Sequence, residues 1–384
     1  MTALSNGQKC VMIIAGEASG DAHGAELVNA MRRRDDRLFF CGIGGERLRA
    51  AGVKILVESS TLSVVGLTEV FAKLPQLMDG ISTAKGVLKS LHPDLLILID
   101  FPDFNLHIAG AANKLGIPVM YYISPQIWAW RQGRVKKIRR RVDRMVVILP
   151  FEEAFYRKHG VPVSFVGHPL MDDPLLTDIA PSRTRAVDAT PVIGLLPGSR
   201  DREVQRHLPV MLDAAAMLQR LEPDLRFIVS AAPSVGQEVM APMVDAAGIR
   251  DCTIYEGDVR HIFQESAIVV AASGTVTLEA ALHGVPTVIM YRISPTSARL
   301  GRLLIKVQHA GLINLIAGKT VLPELIQEVA TAENITILVL ALIRNPDRME
   351  RMRRELIEAR ALLGEPGASA RAAGIAMELL EGHG

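Results

Sequence analysis

The chain predicts an α/β protein of two doubly wound domains followed by helices. Three observations carry that reading. Continuous apolar runs of five to seven residues alternate with longer amphipathic stretches, the pattern of parallel strands covered on both faces by crossover helices. The rhythm lapses once, near the middle, and then restarts. Each half opens with an apolar run that ends in glycine. At 384 residues the chain is long for one core and comfortable for two.

The first half carries VMIIA from Val11, LFFCGIG from Leu38, LLILID from Leu95, VMYYIS from Val119 and MVVILP from Met145. After the first of these, Leu27, Val28 and Met31 mark the inward face of a helix whose Arg32–Arg34 end suits the negative pole. Between His168 and Pro191 proline, aspartate and small residues dominate, as in a linker. The second half runs through VIGLLPGS, a helix from about Glu203, RFIVSAA, CTIYEGD, AIVVAAS, a helix from Thr275 and PTVIMY. Beyond Glu324 the pattern is helical to the end. The expected division is 1–170, a linker over 171–191, 192–365, and a last helix over 366–384 packing across both domains. Two such domains imply a cleft between them, with ligands beyond the carboxyl ends of the strands.

Composition narrows the function. Net charge is +2, with 49% hydrophobic and 22% charged residues, so any basic site is local rather than global. Cys10, Cys41 and Cys252 form neither a zinc pattern nor a disulfide framework, which suits a reducing cytoplasm. The first apolar run is too short for the core of a signal peptide, and no stretch of about 18 apolar residues spans a membrane. A mean hydropathy of +0.24 leaves room for a membrane-surface role.

The strand-end residues carry the chemistry. In AGEASGDAHGA, Gly16, Gly20 and Gly24 stand four apart, which is not the G-x-G-x-x-G of a dinucleotide loop, so a NAD-dependent oxidoreductase is disfavoured. Glu17 and Asp21 would repel a pyrophosphate. Ser19 and Asp21 read equally as helix caps, whereas Glu17 points to a hydroxyl-rich ligand such as a sugar. Asp100 ends a fully apolar strand, where partial desolvation raises a carboxylate toward use as a general base. Asp103 and Asn105 shape the turn after it. In LLPGSRDREV, Gly198 and Ser199 offer donors at a helix N-terminus and Arg200 can fork onto phosphate. Ser273, Gly274 and Thr275 form a second such loop, and Glu279, one turn on, can reach a ribose diol. Two anion loops in one domain suit a nucleotide diphosphate.

Two segments stay open on residues alone. Trp128 and Trp130 adjoin eight basic residues between Arg131 and Arg144, which reads as a solvated helix face, a nucleic-acid site, or an anion site for a phosphorylated substrate or acidic lipid surface. Val70, Phe71, Leu74, Leu77 and Met78 form an apolar stripe at helical spacing, by default core, but interrupted by Pro75 and suited to a lipid-facing patch.

Taken in order, AGEASGDAHGA, GIGGERLRAAG, IDFPDFN, SPQIWAWRQGRVKKI, FVGHPL, LLPGSRDREV, ASGTVTLEA, YRISP and NLIAGK resemble the lipid-A-disaccharide synthases over nearly the whole chain. The resemblance implies a metal-independent, inverting GT-B glycosyltransferase with no cofactor. It would join UDP-2,3-diacylglucosamine to the 6-hydroxyl of 2,3-diacylglucosamine 1-phosphate (lipid X) by a β-1,6 linkage, releasing UDP. It implies Asp100 as base, with Asp21 an alternative, and Gly198, Ser199, Arg200, Ser273–Thr275 and Glu279 at the UDP. It implies Glu17, Ser19, Gly20, Asp21 and Asn314 near the sugars, and membrane contact through the Leu67–Met78 region. A cytoplasmic protein on the inner membrane face, without a nucleic-acid partner and with room for a homodimer, follows. The alternatives are another UDP-sugar transferase or epimerase of this fold, which would not need the greasy segment, and a non-catalytic nucleotide-sugar or anionic-lipid binding protein.

Overall fold

The structure is a computed structural model that describes residues 8–62, 74–173, 191–232, 234–294 and 309–382. It divides into two compact units, 1–172 with 363–384, and 173–362.

The first unit is built on seven parallel strands: β1 (Cys10–Ala15), β2 (Phe39–Gly44), β3 (Lys54–Glu58), β4 (Leu95–Ile99), β5 (Val119–Tyr122), β6 (Arg144–Val147) and β7 (Val163–Phe165), in the order β3-β2-β1-β4-β5-β6-β7. Its helices are α1 (Ala18–Arg32), α2 (Glu46–Ala50), α3 (Ser59–Leu62), α4 (Leu74–Leu91), α5 (Pro102–Lys114), α6 (Ile127–Trp130), α7 (Val135–Arg141) and α8 (Pro150–Lys158). β1, β4 and β5 are buried along their whole length, as their unbroken apolar runs require.

The second unit repeats the plan with β8 (Val192–Leu196), β9 (Arg226–Ala231), β10 (Cys252–Glu256), β11 (Ile268–Ala272), β12 (Thr287–Tyr291) and β13 (Glu324–Ile326), in the order β10-β9-β8-β11-β12-β13, all parallel. Its helices are α9 (Asp201–Leu221), α10 (Gln237–Ala246), α11 (Val259–Glu265), α12 (Thr275–Leu282), α13 (Leu312–Ala317), α14 (Ala332–Ile343) and α15 (Pro346–Ala361).

The chain then returns to the first unit as α16 (Ala368–Glu381). Its small buried face of Ala372, Ala373 and Ala376 lies against α1. Asp172 accepts from the amides of Ala368 and Ser369 at 3.1 and 3.4 Å and so caps it. Arg371 binds the Val166 carbonyl at 2.8 Å, and the Leu363 carbonyl accepts from the His168 amide at 2.9 Å. Burial pushes the His168 imidazole down to about 3, so it sits neutral inside the unit.

The structure corrects the expectation of helix throughout beyond Glu324, since Glu324–Ile326 is the edge strand β13. Three residues are too few to show a period of two. Strand order reverses between β1 and β4 in the first sheet and between β8 and β11 in the second. In doubly wound sheets the loops after such a pair of strands receive the ligand. Those four loops contain Gly16–Glu17, Asp100–Phe101, Gly198–Arg200 and Ser273–Thr275.

Candidate functional site

In the first unit, Asp100 and Phe101 follow β4 with φ of 45° and 46°, and Ile123, after β5, has φ of 62°. Left-handed backbone costs a side-chain-bearing residue roughly 1–2 kcal/mol, and such strain gathers at functional sites. The Phe101 ring fills the space above Gly16: a Cβ at Gly16 would lie 2.3 Å from its Cγ. Glycine there lets the loops after β1 and β4 close on one another. Asp100 is half-buried, and burial followed by the charge of Glu17 pushes its carboxyl up to about 6, against the opposing Phe101 amide. It is thus ionised at neutral pH yet basic enough to take a proton. Glu17 and Ser19 are exposed at the start of α1.

Two residues expected near the sugars do other work. Asp21 is buried inside α1, and its carboxylate accepts from the amides of Gly45, Arg47 and Leu48 at 2.6, 2.9 and 3.3 Å. It caps α2, not its own helix. Asn314, wholly buried, accepts from Val321 and Leu322 at 2.8 and 2.9 Å and donates to the Leu322 carbonyl and to Glu324 at 2.8 and 2.7 Å. Both donors and both lone pairs are taken, so nothing remains for a ligand. Gly20 and Gly24 lie within α1, where a Cβ would stand 3.4 and 3.1 Å from Ile99 atoms. They bring helix and sheet together rather than a sugar.

Of the apolar stripe, Val70, Phe71 and the Leu74 side chain fall outside the described residues. Leu77 is partly buried against the core of the first unit, whereas Met78 is 58% exposed. Trp128 is buried, its indole N–H donating to Glu152 at 2.9 Å. Trp130 is exposed, with the Arg131 guanidinium 4.2 Å from its ring centroid.

In the second unit, Gly198 has φ of 120°. The Ser199 amide donates to Glu203 Oε2 at 3.2 Å, and Arg200 lies 3.4 Å from Oε1. The side chain of Glu203 therefore folds back over the start of α9 and occupies the Gly198–Arg200 loop itself. Ser234 Oγ donates to the Ser199 carbonyl at 2.6 Å. His207, buried in the second turn of α9, donates from Nδ1 to the Pro197 carbonyl at 2.8 Å and accepts at Nε2 from the Arg292 amide at 3.1 Å, tying the ends of β8 and β12 together. At the second loop, Gly274 opens α12 without a side-chain cap, and space for a Cβ there is open. Ser273 Oγ donates to the Ala310 carbonyl at 3.2 Å. Glu279 is half-buried, its carboxyl raised by burial and then by Asp258, with Arg260 opposing. Arg260 bridges Asp258 and Asp173, at 2.9 Å from the latter.

Glu203 lies in the first turn of α9, where an acid reads as a helix cap, and no motif marks His207, Tyr121 or Glu152 as a partner of another element. That glutamate is fully enclosed, and burial pushes it up to about 7 although the Trp128 and Leu149 donors oppose this. A tyrosine in a buried strand needs a partner for its hydroxyl, which is the one available signal for Tyr121; Glu152 accepts from the Leu149 amide at 3.3 Å. Among the described residues no group of three His, Cys, Asp or Glu side chains is arranged to hold a metal ion.

A family model described as lipid-A-disaccharide synthetase matches residues 11–378. The chain is 47% identical over 380 residues to the lipid-A-disaccharide synthase of Geobacter metallireducens, covering 97% of each. It is 40% identical over 341 residues to that of Coxiella burnetii, covering 88% of this chain and 89% of the relative. Among solved structures, the UDP-GlcNAc 2-epimerase of Neisseria meningitidis bound to UDP-GlcNAc superposes with a TM-score of 0.62 at 13% identity, over 96% of this chain and 100% of that one. The calicheamicin glycosyltransferase CalG4 gives 0.62 at 15%, over 98% and 99%. These last two show a shared GT-B fold.

Proposed function

This chain belongs to the lipid-A-disaccharide synthetase family and is a glycosyltransferase, and from that premise we propose how its residues divide the reaction. The donor is UDP-2,3-diacylglucosamine and the acceptor 2,3-diacylglucosamine 1-phosphate. Asp100 takes the proton of the acceptor 6-hydroxyl as that oxygen bonds to the anomeric carbon of the donor. The bond from that carbon to the diphosphate breaks, and UDP leaves with the electron pair. The configuration inverts because attack and departure lie on opposite faces. Departing charge is met by the Ser199 amide, the Arg200 guanidinium and the open N-terminus of α12. Glu279 binds the ribose, and Glu17 and Ser19 meet acceptor hydroxyls.

The observation that carries this reading is the Asp100 carboxylate, half-buried at the strand-order reversal and raised to about 6. Product formation from the two lipids by purified protein tests it. Asp100→Asn is expected to lose turnover while retaining UDP binding, and Arg200→Ala to weaken UDP binding chiefly. Full turnover in the first variant removes Asp100 as the base.

Peripheral attachment to an anionic membrane surface accords with lipid substrates. No helix among the described residues is long and apolar enough to cross a membrane. Lys136, Lys137, Arg139 and Arg140 are exposed on α7 and have no ion-pair partner among the described residues. Burial and then Lys85, Arg141 and Lys137 push the His107 imidazole down, so cations of α4 and α7 lie close to that ring on α5. Trp130, exposed and stacked under Arg131 just before α7, is of a type suited to the headgroup layer.

A further inference from the structure

Asp100 owes its position to a backbone shape that its own residue type disfavours, so something must hold that shape. We propose that Asn105 and Tyr121 are positioning residues for the reaction, clamping the main chain at Ile99–Phe101 so that the Asp100 carboxylate is presented at a fixed place and depth. The proposal rests on the reading of Asp100 as the base.

Asn105 lies in the first turn of α5 and is wholly buried. Its Nδ2 donates to the carbonyls of Ile99 at 3.1 Å and of Asp100 at 2.7 Å. Tyr121 comes from β5, where it pairs with Leu98 of β4. Its hydroxyl, also buried, donates to the same Asp100 carbonyl. Both lone pairs of that one oxygen are thus held by side chains from two different elements. The carbonyl belongs to the residue with φ of 45°, and the next residue, at 46°, starts α5 without any side-chain cap. The last carbonyl of a strand and the first of the left-handed pair are fixed by one amide, which sets the direction in which the Asp100 side chain leaves the sheet.

Asn105 also leaves its Oδ1 buried without a hydrogen-bond partner in the structure. An unpaired buried oxygen is unfavourable, so this asparagine is a poor choice for packing alone. Its presence at a turn that it holds by its amide nitrogen is what a positioning role explains. Neither residue carries charge to the reacting atoms, and neither carboxylate of the site bonds to them. Their effect passes through the backbone.

The consequence is legible in pH dependence. The groups that act on Asp100 are Glu17 from the β1–α1 junction and the Phe101 amide. Tyr121 faces Asp100 from β5, with Tyr156 of α8 and Arg134 acting on it in turn. Releasing the clamp lets the carboxylate turn toward water, which lowers its affinity for the proton.

The test is steady-state turnover of the full chain as a function of pH in Asn105→Ala and Tyr121→Phe, with UDP affinity measured alongside and Asp100→Asn as reference. Tyr121→Phe removes one oxygen from a buried ring and keeps the test alive if Asn105→Ala folds poorly. A base misplaced by about 1 Å loses on the order of 100-fold in rate, so kcat is expected to fall about 10- to 100-fold in each variant. UDP affinity should be unchanged, and the acid limb of the profile should move from near 6 toward the ordinary carboxylate range. A lower rate with the acid limb unmoved in both variants means a merely structural role and overturns the proposal. So does kcat within about twofold of the parent, well inside the effect expected of a displaced base. If Asp100→Asn itself retains full turnover, the reading of the base has failed and the clamp fails with it; an inactive Asp100→Asn beside unaltered clamp variants refutes the clamp alone.

Discussion

Replacing Asp100 by asparagine should stabilise the first unit while it removes turnover, and the stabilisation should depend on pH in one direction. The folded carboxyl is raised from the ordinary 3.8 to about 6, first by burial and then by Glu17. The folded state therefore holds its proton where the unfolded chain has already lost it, and stability falls as pH rises between those values. Two pH units at 1.36 kcal/mol each give a penalty of about 3 kcal/mol above pH 6. Asparagine never ionises and escapes it. Allowing for a half-buried site, the variant should exceed the parent by about 1–3 kcal/mol near pH 8 and match it near pH 4. The assay is urea unfolding followed by tryptophan fluorescence. Trp128 and Trp130 are the two tryptophans of the chain and both lie in the first unit, so the signal reports that unit even if the other unfolds separately. A stability difference that is the same at both pH values, or a variant weaker than the parent near pH 8, refutes the reasoning.

Removing the neighbouring charge tests the same electrostatics by another route. Glu17→Gln should lower the acid limb of the kcat/KM profile below about 6, because loss of a like charge favours the ionised base; a pH–rate series reads it directly. Glu203→Gln should bind UDP several-fold more tightly by calorimetry, since the parent carboxylate competes with diphosphate for the Ser199 amide and Arg200. Weaker binding would instead make Glu203 the residue that orients that arginine. Neutralising Lys136, Arg139 and Arg140 together should weaken sedimentation with anionic vesicles by about 1 kcal/mol per cation, with less loss at high salt. Equal binding to neutral vesicles would exclude that face as the contact.

The central strands were readable because burial on both faces leaves an unbroken apolar run. β3, whose residues alternate between exposed and half-buried, and the three-residue β7 and β13 leave no such mark. Asp100, Arg200 and the Ser273–Thr275 loop stand out as candidates because each directly follows a central strand, where topology puts ligands. Asp21 and Asn314 also follow strands or open helices, and a polar residue there looks the same whether its partner is a sugar or an amide 24 residues away. That is why Asp21, bonded to Gly45, read as a ligand. Tyr121 and His207 were invisible for the converse reason. Each looks like ordinary core, and its use lies in a carbonyl contributed by another element.

The return of α16 to the first unit has a consequence for how the chain is made. Residues 363–384 complete a unit whose other part ends at Asp172, and all of 173–362 is synthesised between the two. The second unit is continuous in sequence and can close its sheet as it leaves the ribosome, ahead of the first. Until Ala368–Glu381 arrives, the face of α1 that α16 covers stays bare and the Asp172 carboxylate has no helix to cap. The unit that carries Asp100 is thus the last to be finished, and a nascent chain can form the Gly198–Arg200 and Ser273–Thr275 loops before the first unit is complete.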